Sequence, residues 1–251
     1  MKAAIRLFVR ATAITPKLPQ NTRKSSSSFF SKTHPPPPKR VTTTGKNTMA
    51  AKQEPQHQSG ESVDDLASDV INLLKDRKET VAVSESLTGG AVMAALTAIP
   101  GSGSAFRGGV VSYATPLKRS LLNVDDQLID KEGVVHQDVA AQMAEGARNI
   151  TALQAHEWNE GDEQKEEEKR RKMEDSYASW GIGTTGVAGP DHQDGKPAGT
   201  VYIGIASEEG GKGHGPFRFG GGRDAVREST VKEALALLRA ALKAKQKGEK
   251  L

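Results

Sequence analysis

The stretch VAVSESLTGGAV, residues 81 to 92, passes from an apolar run into two serines, a threonine and a glycine pair, then into small apolar residues. That order reads as a strand, a tight turn and a helix. In such a turn Ser86 or Thr88 can cap the helix, while the amides of Leu87 to Gly90 point outward, where an anion or a developing oxyanion can be received. Glycine at 89 and 90 lets a ligand approach the backbone with no Cβ in the way. On its own the stretch also reads as nothing more than a capped helix start.

The pattern extends to both sides. Upstream, SVDDLASDVINLLKDRKE carries a Ser62 cap, acids in the first turn and Val63, Leu66, Val70, Leu73 and Leu74 on one side, which predicts a helix. Downstream, GAVMAALTAI predicts a helix ended by Pro100-Gly101, GGVVSYA a second strand, and PLKRSLL a short helix with Pro116 at its start. QDVAAQMAEGARNITALQA is a longer amphipathic helix using Val139, Met143, Ala147 and Ile150. YASWGIG, GTVYIGIAS and GPFRFGG are strand-like, and a closing helix from about Arg223 to Ala244 has Val231, Ala234, Leu235, Leu238 and Leu242 inside. The last strands lie too close together for helical crossovers, so the expected fold is a single three-layer α/β/α domain with a mixed sheet. Ligands on such sheets bind beyond the carboxyl ends of the strands, where the turn at 84–90 falls.

With 251 residues the chain accommodates one domain plus additions, and a mean hydropathy of −0.55 with 4% aromatics is too polar for one compact body. The first acid is Glu54, and eleven Lys and Arg precede it; the rest holds 24 cations against all 31 acids, a charge of −7. The pI near 9.2 therefore describes the leader, and the acidic body argues against nucleic acid as a partner. Residues 1–61 read as a basic leader and a Pro-, Thr- and Gln-rich linker. The leader is Arg/Lys- and Ser-rich and acid-free, as in a mitochondrial transit peptide; otherwise it reads as a disordered basic tail, or as an upstream extension skipped when translation starts at Met49, of a cytoplasmic protein. The domain is expected over 62–251, interrupted by a charge-dense insertion at about 155–176 that reads as solvated.

No run reaches the eighteen or so apolar residues of a membrane span, so neither a membrane nor a membrane partner is expected. Absence of cysteine excludes disulfides, a Cys nucleophile and Cys-based zinc. His34, His57, His136, His156, His192 and His214 show no metal-ligand spacing and read as loop or surface residues; no metal and no cofactor are expected. Neither a Walker A element nor GxGxxG is present, which sets aside an ordinary NTPase or dinucleotide site.

Three further stretches carry chemistry. YATPLK places Tyr113 at a strand end and Lys118 in a short helical turn; the pair reads as a rim phenol and a solvated ammonium, or as a base of lowered pKa for a serine with a tyrosine beside it. TTGVAGPDHQDGKPAGTVY, residues 184–202, exposes amides suited to a phosphate or ribose, or forms a hairpin connection. GGGRDAVRE sets Arg223 and Arg227 four apart, either solvated or phosphate-binding.

Together ESLTGG, IPGSGSAFRGGVVSYATPLKRSLLNV, GVV before the long helix, TTGVAGPD, KPAGTVYIGIA and GRDAVRE resemble, in order and spacing over roughly Val63 to Leu242, the C-terminal domain family of the competence- and damage-inducible protein CinA. Stand-alone members of that family are nicotinamide mononucleotide amidohydrolases. The resemblance implies deamidation of the nucleotide to nicotinate mononucleotide and ammonia, in pyridine-nucleotide salvage, without metal or cofactor. It implies Ser86 as nucleophile, Lys118 as base and Tyr113 as a positioning or proton-relaying group. The amides near Thr88, Gly89 and Gly90 would stabilise the oxyanion, and the loop with Thr185, Gly186 and Gly189, together with Arg223, would hold ribose and phosphate. Two positions depart from the family pattern: Gly222 stands for the aspartate of GDR, and Thr115 for the asparagine of YSNxxK. The rival readings are a non-catalytic nucleotide-binding module and a damage- or competence-related interaction protein. A small body with glycine loops is also compatible with a homo-oligomer.

Overall fold

The computed structural model describes residues 60–152 and 177–246. The basic leader, the start at Met49 and the charged insertion at about 155–176 lie outside them. Ser62 opens helix α1 (Val63–Arg77) through a capping box with Asp65, and Leu66, Val70, Ile71 and Leu74 are buried beneath it. Strand β1 (Val81–Glu85), buried throughout, leads through the serine turn into α2 (Ala91–Thr97). A 3-10 turn at Ser102–Ser104 precedes β2 (Phe106–Val111). Then come α3 (Thr115–Leu122), α4 (Asp126–Glu132), α5 (Gln137–Ile150), β3 (Trp180–Gly186), β4 (Thr200–Ser207), β5 (Gly210–Arg218) and the closing helix α6 (Arg223–Gln246).

The five strands form one sheet in the order β2-β1-β3-β4-β5, parallel across β2, β1 and β3 and antiparallel onward. One face packs on α1, α2 and α6, whose Leu66, Leu74, Leu96, Leu235 and Leu238 meet Val83, Ile182, Ile203 and Ile205 of the sheet. On the other face, Val139 and Met143 of α5 join Leu122 and Ile129 of α3 and α4. This is the expected three-layer mixed α/β fold. Because β2 and β3 flank β1 on opposite sides, the chain direction splits at the carboxyl end of β1, and a crevice opens there.

Glycine lets α5 lie this close. A Cβ at Gly181 or Gly204 would stand 2.0 Å from the carbonyl oxygen of Ala144 or Ala140, so the sheet offers the helix a seam without side chains. On the other face, Arg239 of α6 pairs with Glu61 at 2.7 Å and Asp69 at 2.9 Å, tying the start of the domain to its end.

Several elements differ from expectation, among them β3, which covers Trp180–Gly186 where YASWGIG was expected. β2 covers Phe106–Val111 rather than running to Ala114, because after Ser112 donates its amide to the Glu85 carbonyl the chain turns into α3. Helix α4, capped by Asp125, was not expected; seven residues with only Leu128 and Ile129 apolar show no period. β5 starts at Gly210 rather than near Gly215, since pairing with β4, not strand propensity, orders the glycines of GGKGHG. Among the described residues no helix is long and apolar enough to cross a membrane.

Candidate active site

At the carboxyl ends of β1 and β3 lies an open cleft of about 290 Å³, lined among others by Ser86, Leu87, Tyr113, Thr115, Lys118, Thr185 and Arg223. Its floor is set by the serine turn. Glu85, the last residue of β1, is fully buried, and its carboxylate accepts the amides of Gly90 (2.8 Å), Val92 (3.2 Å) and Met93 (2.8 Å) at the start of α2. A carboxylate there satisfies donors that the helix cannot, and it faces the positive end of the helix dipole.

This corrects the sequence reading of the turn. Neither Ser86 nor Thr88 caps α2: the N-cap is Gly90, with no side-chain bond. Gly89 and Gly90 have φ of 62° and 100°, so glycine is required there by the turn itself, not by a ligand's approach. The Gly89 amide donates to the Ser86 carbonyl at 3.1 Å, and the hydroxyls of Thr88 and Thr184 share a buried hydrogen bond of 2.8 Å. Thr88, Gly89 and Gly90 thus shape the turn and do not line the cleft. Of the four amides expected to point outward, those of Leu87 and Thr88 have no protein acceptor among the described residues.

Freed from capping, Ser86 has its amide on the Thr184 carbonyl (3.0 Å) and its hydroxyl at the cleft. Lys118 reaches it from α3. The Lys118 side chain is 1% exposed, and its Nζ donates to Ser86 Oγ at 3.1 Å and to the Ser112 carbonyl at 2.6 Å, with the Tyr113 carbonyl at 3.5 Å. No carboxylate pairs with it among the described residues. Burial disfavours the ammonium form and lowers the pKa to about 8. The sequence left open a solvated lysine or a desolvated one, and the side chain is desolvated.

Tyr113 is placed differently from a relay. Its ring is 61% exposed at the mouth of the cleft, and its hydroxyl accepts from Arg223 Nη2 at 3.1 Å instead of meeting the Ser86–Lys118 pair. Arg223 Nη1 also donates to the Gly189 carbonyl at 3.1 Å, so the first residue of α6 spans the cleft mouth from Tyr113 to the glycine loop. Gly186 and Gly189 line the cleft, and Thr185 lines it while donating its hydroxyl to the Val134 carbonyl at 2.7 Å.

The two arginines of GGGRDAVRE part company. Arg227, one turn into α6, lies behind the serine turn with Nε on the Leu87 carbonyl (3.2 Å) and Nη2 on the Thr88 carbonyl (3.0 Å). Sequence reasoning also missed Asp191, His192 and Gln193 in the cleft wall; His192 had been read as an ordinary loop residue. The loop is held by Asp194, whose carboxylate accepts the amides of Val134 (2.8 Å) and Val135 (3.3 Å). A polar loop residue gives no spacing signal for such a bond. Among the described residues no group of three or more His, Asp or Glu is arranged to hold a metal.

Comparison with known proteins places the chain in a family. The family model of the CinA C-terminal domain matches residues 63–155 and 165–242. A CinA-like protein of Synechococcus sp. (strain RCC307) is 40% identical over 187 residues, covering 73% of this chain and 39% of the relative. A CinA-like protein of Frankia casuarinae is 39% identical over 180 residues, covering 72% and 36%. The chain thus spans less than two fifths of the length of these curated relatives. Among solved structures, the competence/damage inducible protein CihA of Agrobacterium tumefaciens matches with a TM-score of 0.58 at 30% identity over 72% of this chain and 95% of its own. A CinA superfamily protein of Klebsiella pneumoniae matches with a TM-score of 0.60 at 26% identity, over 73% and 99%.

Proposed function

The chain belongs to the CinA C-terminal domain family, and on that premise we propose that it is an amidohydrolase that converts nicotinamide mononucleotide to nicotinate mononucleotide and ammonia. The observation that carries this reading is the contact between a buried lysine of pKa about 8 and the Ser86 hydroxyl, 3.1 Å apart at the edge of a cleft.

In this scheme neutral Lys118 accepts the Ser86 proton as Oγ bonds to the carboxamide carbon, and the carbonyl π pair moves onto oxygen. The tetrahedral oxyanion is met by the unpartnered amide of Leu87, the residue of the serine turn after Ser86 that lines the cleft. Lys118, now an ammonium, returns its proton to the amide nitrogen as the C–N bond breaks and ammonia leaves. Water then attacks the acyl carbon as Lys118 takes its proton, and Lys118 passes that proton to Ser86 Oγ as the C–Oγ bond breaks and the carboxylate departs. No metal or cofactor takes part in any step. Arg223 and the loop at Gly186–Gly189 hold the phosphate and ribose, which keeps the carboxamide beside Ser86. A homo-oligomer is compatible with this scheme and is not required by it.

A nucleotide-binding module would use the same loop and arginine. It would have no use for a lysine kept out of water without a counter-ion, an arrangement that costs stability. The discriminating measurement is ammonia release from nicotinamide mononucleotide by purified protein without added metal. Turnover is expected, and Ser86→Ala is expected to abolish it; binding without turnover in the unmutated protein would establish the module instead.

A further inference from the structure

Asp191, His192 and Gln193 reach the cleft from a small hairpin in the glycine loop. Gln193 and Lys196 exchange both backbone bonds, Gln193 donating at 3.1 Å and Lys196 at 2.8 Å, and Asp194-Gly195 closes the turn between them. Both turn residues have positive φ, 50° and 70°, the two-residue geometry that Asp-Gly favours. The stretch that reads as either a ligand loop or a hairpin connection thus contains a hairpin, and the hairpin brings three polar side chains to the cleft wall.

Its tip is tied to a second element of the cleft. Asp194 Oδ2 accepts the amides of Val134 (2.8 Å) and Val135 (3.3 Å) in the connection between α4 and α5, and Lys196 Nζ donates to the Glu132 carbonyl at 3.4 Å. The approach is close enough to require glycine beside it: a Cβ on Gly133, whose φ is 77°, would stand 2.5 Å from the Asp194 carboxylate. Val134 and Val135 themselves line the cleft, and the Val134 carbonyl accepts the Thr185 hydroxyl at 2.7 Å. Thr185 belongs to β3, and the Thr184 carbonyl next to it holds the Ser86 amide at 3.0 Å. One valine therefore joins the hairpin tip to the strand that fixes the serine.

An anchor of this kind has a use because the hairpin is otherwise exposed from Asp191 to Gly195. Exposed loops with few internal bonds open readily, and a loop that must be ordered as the ligand arrives costs affinity. The hairpin starts just past Gly189-Pro190, and the Gly189 carbonyl holds Arg223 Nη1. Its side chains therefore belong to the Arg223 end of the cleft. A carboxylate and a carboxamide there suit sugar hydroxyls, and an imidazole adds a nitrogen donor for phosphate.

We propose that residues 191–196 are a specificity element for the sugar phosphate of a nucleotide and that Asp194 is their positioning residue: by clamping the tip onto Val134 and Val135 it sets Asp191, His192 and Gln193 in place before the ligand binds. This rests on the nucleotide reading of the cleft proposed above. It is independent of the serine chemistry, since a pre-set wall aids binding whether or not the carboxamide is then cleaved.

The test uses the full chain, unmutated and as Asp194→Gly and Asp194→Asn. Glycine takes the positive φ without strain and lacks the carboxylate; asparagine also tolerates that φ and keeps one acceptor oxygen. The lost anchor is thus not confounded with backbone strain. The first readout is the calorimetric Kd of nicotinamide mononucleotide, with Ser86→Ala added to each protein so that nothing is turned over. The second is steady-state ammonia release with Ser86 intact. Asp194→Gly is expected to weaken binding and raise KM by about tenfold, the effect of ordering one or two side chains at the moment of binding. The kcat should stay within about twofold, because the lost interaction serves bound substrate and transition state alike. Asp194→Asn should lose only about threefold, since one of the two amides keeps a partner.

Equal nucleotide affinity in folded Asp194→Gly overturns the proposal. So does a kcat that falls as far as KM rises, or a glycine loss that asparagine does not recover, either of which marks a general loosening of the fold. Weakened binding in Asp194→Gly together with no ammonia release by the unmutated protein supports the hairpin's role and rejects the amidase. Neither binding nor ammonia release from the nucleotide rejects both.

Discussion

Two clefts of similar size lie at opposite ends of the parallel strands, and they use charge in opposite ways. The one at the carboxyl ends, about 290 Å³, places a buried lysine against a serine with no carboxylate partner. The other, about 330 Å³, is lined by Glu79, Arg148, Glu208 and Lys245 among others. There the charges are largely spent on one another. Glu79 accepts from Arg77 Nε (2.9 Å) and Trp180 Nε1 (2.8 Å), Lys245 lies 3.2 Å from Glu208 and 3.4 Å from Glu79, and Arg148 donates to the carbonyls of Ala178 and Ser207. Volume and charged lining do not distinguish the two. What does is a polar group held against its own solvation preference, which a fold retains at a cost in stability. Substitutions at the first cleft should therefore cost turnover, and those at the second should cost stability.

The largest effect is expected at Lys118. Lys118→Met keeps the side-chain volume and removes the proton carrier, and turnover should fall by about two to four orders of magnitude. In the unmutated enzyme the base form is populated only above the lysine's pKa, so kcat/KM should rise with pH and level off above about 8. Stability carries the same signature. The folded pKa lies below the usual 10.5, so between about 8 and 10.5 the unfolded chain binds the extra proton and stability rises with pH. The penalty, of order 3 kcal/mol, is fully present below pH 8 and is relieved as pH climbs through that window. Lys118→Met should flatten the rise, as measured by denaturation midpoints from pH 7 to 10. A midpoint with the same pH dependence in both proteins would mean that the lysine is solvated and the two clefts do not differ as described.

How much of this was legible follows from where each signal resides. Strand, turn and helix around Ser86 could be read because an apolar run, a glycine pair and small apolar residues are local features. The mixed sheet followed from the short spacing of its last strands. Lys118 could be named but not placed: a lysine in PLKRSLL looks solvated, and its burial comes from α3 packing Leu122 against α5, which no local pattern reports. Glu85 was passed over because its bonds run five to eight residues ahead, outside the capping-box spacing. Arg223 and Arg227, equivalent on a helical wheel, differ because α6 begins at the first of them. One reaches past the helix end to the cleft, and the other lies beneath the serine turn.

A middle-sized effect, on stability, is expected at Glu79. Its carboxylate is largely buried; burial alone would raise the pKa, but the bonds from Arg77 and Trp180 outweigh it and hold the carboxyl below its usual value. Glu79→Gln weakens charge-assisted bonds to two neighbours and should cost about 1–3 kcal/mol in a denaturant titration while leaving turnover unchanged. Because the folded pKa is depressed, the ionised form stabilises the fold above the unfolded carboxylate pKa, and that contribution is lost as pH falls through the folded one. The gap between Glu79 and its glutamine variant should accordingly narrow in acid.

Lys245 should matter least. It contacts Glu79 and Glu208 and lies 5.4 Å from the Trp180 ring centre, but its side chain is 37% exposed and Glu208 is 73% exposed. Screened pairs of this kind contribute about 0–1 kcal/mol, so Lys245→Ala should shift the denaturation midpoint only slightly. With Glu79 already replaced by glutamine the shift should be smaller still, since one of its anions is gone and the two losses are not additive. Turnover is the more incisive reading. A fall beyond about twofold in Lys245→Ala would be larger than surface substitutions of this kind normally cause. It would show that the amino ends of the strands are coupled to the serine turn through the sheet, and the division between a cleft that reacts and a cleft that only holds would fail.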